Sequence, residues 1–212
     1  IHEDTAAYIN RCYHLKVFED TFIRLKAAGL KVIVHVIIGL PGEDASRTIE
    51  TVRYLSGLTA PDGSHIDGIK LQLLHVLKGT ALAERLPEEL IKNRIDQSGA
   101  DISEYSLNAS ASSERRLVKQ TIETKNVKAL TTIEAIDYDT PLIRLSDGMQ
   151  LSCYSLEAYS VLIAELIALL PHDITVHRIT GDAPKSLLIY PLWTADQKKG
   201  LNTICLLYTS DA

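Results

Sequence analysis

Cysteine is scarce in this chain. Its 212 residues include three cysteines, Cys12, Cys153 and Cys205. Because their number is odd and they lie far apart, they argue against a disulfide framework and are typical of a protein of the reducing cytosol. They form no CxxC or CxxxC cluster, and no two histidines have the HxxxH or HxH spacing of a local metal site. We therefore expect a cytoplasmic location and no metal ligands in this chain.

Long apolar runs and an excess of positive charge are also missing. The longest apolar stretch, Tyr159–Leu170, is interrupted by Glu165 and is far shorter than a membrane span, so we expect no membrane partner. The net charge of -5 gives no sign of a nucleic-acid partner. No GxSxG sequence occurs, which makes a Ser-His-Asp hydrolase a weak alternative. The chain begins at Ile1 without a methionine or a signal peptide, so we expect a fragment of a longer protein.

Apolar strands and amphipathic helices alternate in the first part of the chain. The apolar spacing between Asp4 and Ala28 predicts one helix, or two joined near Tyr13 and His14, with Gly29 ending it. The pattern then predicts, in order, a strand buried on both faces at Lys31–Ile38, a helix at Arg47–Leu58 capped by Asp44 or Ser46, a strand at Ile69–Val76 and a helix from Ala81. Such an alternation indicates a βα repeat, and hence an α/β fold with parallel strands and outer helices.

The second part of the chain divides into three. Residues 87–139 are polar and aperiodic, which indicates an insertion that is partly disordered. Residues 140–204 return to order, with strands predicted at Pro141–Leu145 and Ile174–Ile179, a helix from Ser155 to Leu170 and a helix start at Thr194. The last segment, 205–212, breaks the amphipathic pattern of that final helix, and we interpret it as a non-native tail.

Histidines and glycines mark the ends of three predicted strands. These segments are His35 with Gly39-Leu40-Pro41-Gly42-Glu43, His75 with Lys78-Gly79-Thr80, and His177-Arg178 with Thr180-Gly181-Asp182. Because ligands of βα folds gather at the carboxyl ends of the strands, we expect a binding site there. Three structural alternatives stay open: a plain turn for GLPG, a core position for His35, and a salt bridge between Arg178 and Asp182.

Three motifs carry a family resemblance. VHVIIGLPGE, LLHVLKGT and HRITGDAP together resemble the radical S-adenosylmethionine (SAM) proteins of the YhcC/YtqA type, relatives of the Elongator catalytic subunit. The resemblance covers about residues 1–84 and 149–204. It implies a partial (βα)6 TIM-like barrel, of which residues 1–86 would form the last βα units and residues 140–204 a C-terminal α/β extension.

The resemblance also implies a chemistry. Such proteins hold a 4Fe-4S cluster on a CxxxCxxC loop and cleave SAM reductively to a 5'-deoxyadenosyl radical, with electrons from a donor protein. The implied SAM-binding residues are His35, Gly39, Leu40, Pro41, Gly42, His75 and Val76, and the implied substrate-binding residues are Lys78, His177, Arg178 and Asp182. The substrate is unknown, with RNA or tRNA as a candidate. Because the cluster loop is absent, its ligands would lie outside this chain, and the fragment alone would be inactive.

Two other classes of function remain as alternatives. One is a cluster-free βα-barrel enzyme that binds an anionic substrate through Lys78 or Arg178. The other is a catalytically inactive barrel that serves as an RNA-binding or assembly subunit. Agreement of three motifs favours the radical SAM interpretation over both.

Overall fold

A computed structural model describes residues 1–88, 90 and 140–209. The α-helices are α1 (Glu3–Tyr8), α2 (Leu15–Ala27), α3 (Ala45–Gly57), α4 (Leu156–Ala168) and α5 (Gln197–Thr209). The strands are β1 (Ile33–Ile38), β2 (Gly68–Leu73), β3 (Val76–Leu77), β4 (Leu142–Arg144), β5 (Gln150–Ser152), β6 (Thr175–Arg178) and β7 (Leu188–Tyr190). Short 3-10 turns occupy Ala83–Arg85 and Leu192–Ala195. Most of the predicted insertion, 87–139, lies outside the described residues.

A parallel sheet of strand order β1-β2-β6 forms the centre of the described fold. β1 pairs with β2 from Ile33 opposite Gly68 to Ile38 opposite Leu73. The prediction of an α/β fold with parallel strands is thus confirmed. The second strand is shorter than predicted, however, because Val76 lies in β3 and pairs antiparallel with Tyr190 of β7.

The helices cover one face of this sheet. A single apolar core joins it to all the helices except α1, through residues such as Phe22, Val52, Leu71, Tyr159, Leu162 and Ile204. Side chains of a strand alternate between its two faces, so Val36 and Ile38 of β1 are buried while Ile33, His35 and Ile37 are exposed. The prediction that β1 is buried on both faces is therefore wrong. No helix in the described part of the chain is long and apolar enough to cross a membrane.

Helix ends that the sequence marks with a glycine or a capping side chain lie close to the predicted positions. The first helical region divides into α1 and α2, and Gly29 follows α2 with a φ of 72°. The Asp44 side chain caps α3 by accepting a hydrogen bond from the backbone N–H of Arg47 at 2.9 Å. Ser155 caps α4 in the same way, through the N–H of Ala158.

Two predicted helix starts are wrong. In place of the helix expected from Ala81, the chain forms a 3-10 turn that ends at Arg85, and Leu86 after it has a ψ of 150°. The cause is Pro87, because a proline pushes the residue before it out of the helical region. Likewise the helix expected from Thr194 begins at Gln197, since the non-helical backbone of Asp196, with a ψ of 79°, separates it from the preceding 3-10 turn.

Candidate functional site

Three segments meet at the carboxyl edge of the sheet. Because β1, β2 and β6 are parallel, their carboxyl ends point the same way. The backbone N–H of Leu74 donates to the Ile38 carbonyl at 2.9 Å, which joins the first two ends. At the third end, a Cβ built on Gly181 would lie 2.5 Å from Cε1 of His75. The structure thus brings together the GLPG turn, His75 and the segment that contains Asp182.

His75 has the most distinctive environment of these residues. Its side chain is half-buried, and its Nε2 atom is buried without a hydrogen-bond partner among the described residues. Burial lowers the pKa of His75, against the opposing influence of the Asp182 carboxylate. A buried, unpaired polar atom costs free energy, and a ligand that reaches this edge would remove that cost by bonding to it.

The GLPG turn depends on two glycines with positive φ. Gly39 has a φ of 76° and Gly42 a φ of 80°, a region that other residues rarely adopt. The N–H of Gly42 donates to the Gln150 carbonyl at 2.8 Å, and a Cβ on Gly42 would lie 3.1 Å from Sδ of Met149. The glycines are therefore needed for the turn itself, whether or not a ligand approaches it.

The segment 149–154, which we call the β5 platform, supports this turn. The Ser152 hydroxyl donates to the Glu43 carbonyl at 2.9 Å in a buried position. The ring of Tyr154 lies 3.4 Å from the place of a Cβ on Gly39. Neither residue could be predicted as part of the site from the sequence, because the platform and the turn are more than a hundred positions apart and no local pattern connects them.

The face of the sheet that the described helices leave open carries several polar side chains. It carries His35 and Lys70, which are register partners, and Gln72 farther along β2. His177 joins them, since a Cβ on Gly68 would lie 2.5 Å from Cδ2 of its ring. The alternative that His35 occupies a core position is therefore wrong, because its side chain is exposed. Lys70 and Gln72 were not predicted as site residues, although the alternation of apolar and polar residues in GIKLQL indicates that both lie on the same exposed face of the strand.

The remaining predicted residues have different surroundings from His75. Val76 is 1% exposed and packs in the small core beside β7, and Lys78 is exposed in the following turn. Arg178 and Asp182 form no ion pair with each other among the described residues, so the predicted salt-bridge alternative finds no support there. A groove of about 470 Å³ runs beside β6, and both His177 and Arg178 line it.

The cysteines do not suit an iron–sulfur cluster. Cys12 and Cys205 are exposed, and burial raises the pKa of the half-buried Cys153 thiol to about 11, which disfavours the thiolate that binds iron. No three His, Cys, Asp or Glu residues of the described ranges group as metal ligands. For SAM the residues are compatible, because the unpaired Nε2 of His75 would give a bound ligand a polar partner at the carboxyl edge.

Comparison with known proteins first gives a family match for the last third of the chain. Residues 135–205 match the model of the Radical_SAM C-terminal domain. This match spans β4 to α5 and includes the β5 platform and β6.

Individual proteins resemble the chain over more of its length than the family model does. The chain is 24% identical over 204 residues to the uncharacterized protein YtqA of Bacillus subtilis (strain 168), which covers 96% of the chain and 43% of YtqA. It is 24% identical over 200 residues to protein YhcC of Escherichia coli (strain K12), with 94% and 43% covered. The uncharacterized protein MJ0486 of Methanocaldococcus jannaschii is 34% identical over 84 residues, which are 40% of the chain and 24% of MJ0486. The chain is thus similar over nearly its whole length to YtqA and YhcC, which confirms the resemblance that its motifs predicted, and it spans 43% of the length of each of these two proteins.

Proposed function

We propose that this chain is the C-terminal part of a radical SAM enzyme and that SAM binds across the carboxyl edge of its parallel sheet. The observation that carries the proposal is the buried, unpaired Nε2 of His75 at that edge. The family match supports it, and the match does not favour the cluster-free alternative. The whole protein would act in the cytoplasm on an unknown substrate, for which RNA or tRNA is a candidate, with an electron-donor protein as a partner.

A barrel arrangement is part of the proposal. Parallel sheets are normally buried on both faces, yet the described helices cover one face of β1, β2 and β6 and leave the other open. In a (βα)6 barrel the other face would line the interior, with further strands closing around it. The open, polar face with His35 and Lys70 supports this arrangement.

The residues of the edge would have distinct tasks. The Nε2 atom of His75 would hydrogen-bond the ligand, and the GLPG turn, with Leu40 and Pro41 between its glycines, would form the adjacent wall. His177, Arg178 and Asp182 would contact the substrate. When bound with a cluster whose ligands lie outside this chain, SAM would supply hydrogen-atom abstraction. The protein's own contribution is position and exclusion of water.

Substitution of His75 tests the proposal. We expect His75→Leu to weaken SAM binding about three- to tenfold, since it removes one hydrogen bond to the ligand. The substitution should not lower the melting temperature, because Nε2 has no partner to lose in the described structure. Calorimetric titration of the chain with SAM, together with thermal melts, measures both quantities.

A matched control is His172→Leu, because His172 is exposed ahead of β6. It should leave SAM binding unchanged. Equal affinities of the two variants, or no binding by the unsubstituted chain at millimolar SAM, would contradict the proposed site.

A further inference from the structure

Basic residues occupy a row of paired positions across the three strands of the sheet. His35 of β1 is the register partner of Lys70 of β2, and Lys70 is the register partner of Arg178 of β6. Neighbouring strands lie about 4.8 Å apart, so the row extends about 10 Å across three strands. Three residues from distant parts of the sequence are thus aligned by strand pairing alone.

His177 adds a fourth group to this row. A register shift between Ile69 and Lys70 leaves His177 without a partner of its own in β2. Its ring instead occupies the space above Gly68, where a Cβ would lie 2.5 Å from Cδ2. Because Gly68 and Lys70 are two positions apart in one strand, they share a face, and His177 lies on that face too.

No described side chain pairs with the basic groups of this row. The three strands, IVHVII, GIKLQL and TVHR, contain no acidic residue. In the described ranges, none of the side chains of His35, Lys70, His177 and Arg178 has a hydrogen bond or an ion pair. This basic face contrasts with a chain whose net charge is -5.

We infer that this row binds an oxyanion of the substrate, a phosphate or a carboxylate. Lys and Arg donors complement such oxygens, and Arg can bind two of them at once. The exposed side chains of Ile33 and Ile37 flank His35, so a ligand with an apolar part beside its oxyanion fits the same face. The inference rests on the proposed function, because it assigns the substrate to the sheet face and SAM to the edge, about 10 Å from Lys70.

Titration with two simple anions tests the row. The unsubstituted chain should bind inorganic pyrophosphate or succinate, and Lys70→Gln and Arg178→Gln should each weaken that binding about three- to tenfold. The control is Lys198→Gln, which makes the same charge change at an exposed position of α5. Tighter binding of pyrophosphate identifies a phosphate-bearing substrate, and tighter binding of succinate identifies a carboxylate. Thermal melts of each variant show that it is folded.

The outcomes separate the two proposals. Binding of neither anion, or an equal loss of anion affinity in Lys70→Gln and Lys198→Gln, would overturn the oxyanion row. SAM binding at His75 would be unaffected by that result. Conversely, anion binding that depends on Lys70, in a chain that does not bind SAM, would overturn the proposed function and retain the row as an oxyanion site.

Discussion

Gly181 shows how a single residue shapes the candidate site. A Cβ there would lie 2.5 Å from His75 Cε1 and 2.9 Å from Gln72 Cγ, both too close for an ordinary contact. Its φ lies outside the left-handed region, so the backbone does not itself require glycine. The lack of a side chain is therefore explained by the position of His75.

Gly181→Ala tests this explanation. The added methyl group must displace His75, so we expect lower SAM affinity and a loss of about 1–3 kcal/mol in the free energy of unfolding. Gly57→Ala is the control, because a Cβ on Gly57 meets nothing within 4 Å. Denaturant melts and SAM titration of both variants give the comparison. If Gly181→Ala behaves like Gly57→Ala, His75 is not held in place by Gly181.

At the scale of elements, the β5 platform stabilises the GLPG turn, although the two segments are more than a hundred positions apart in the sequence. Gln150 accepts a hydrogen bond from Gly42, Ser152 donates one to Glu43, and Tyr154 packs on Gly39. The platform belongs to the segment that matches the Radical_SAM C-terminal domain. The turn that we assign to SAM is thus supported by that domain.

Ser152→Ala should loosen this support. It leaves the buried Glu43 carbonyl without this donor, and we expect a loss of about 1–2 kcal/mol in the free energy of unfolding. The rates of amide hydrogen exchange at Gly42 and Glu43 should also increase. Ser186→Ala, at an exposed position, should change neither quantity. Unchanged exchange in the Ser152 variant would mean that the turn is stable without the platform.

Local patterns predicted the elements better than they predicted the contacts between them. Caps and apolar spacing located α3 and α4, because Asp44 and Ser155 act on their own helices. They could not show that His35 is exposed, since exposure depends on which face of the sheet the helices cover. The basic row depends on strand register, and the platform on a contact between distant segments. Neither the basic row nor the platform could therefore be predicted from a local stretch of sequence.

At the scale of the whole molecule, the central feature of the described residues is a parallel sheet with helices on one face and an open face that carries polar and basic side chains beside Ile33 and Ile37. This arrangement, the meeting of three strand ends and the family match together support a C-terminal portion of a radical SAM barrel. The chain spans 43% of YtqA and of YhcC, so the proposal places the cluster ligands in a part of the protein outside it.

The coding sequence upstream of Ile1 tests this central claim most directly. Sequencing it should reveal an in-frame CxxxCxxC segment within roughly 100 residues, the length that the earlier βα units of such a barrel need. That result would supply the cluster that Cys12, Cys153 and Cys205 cannot hold together. An in-frame start codon close to Ile1, with no such segment before it, would contradict the account.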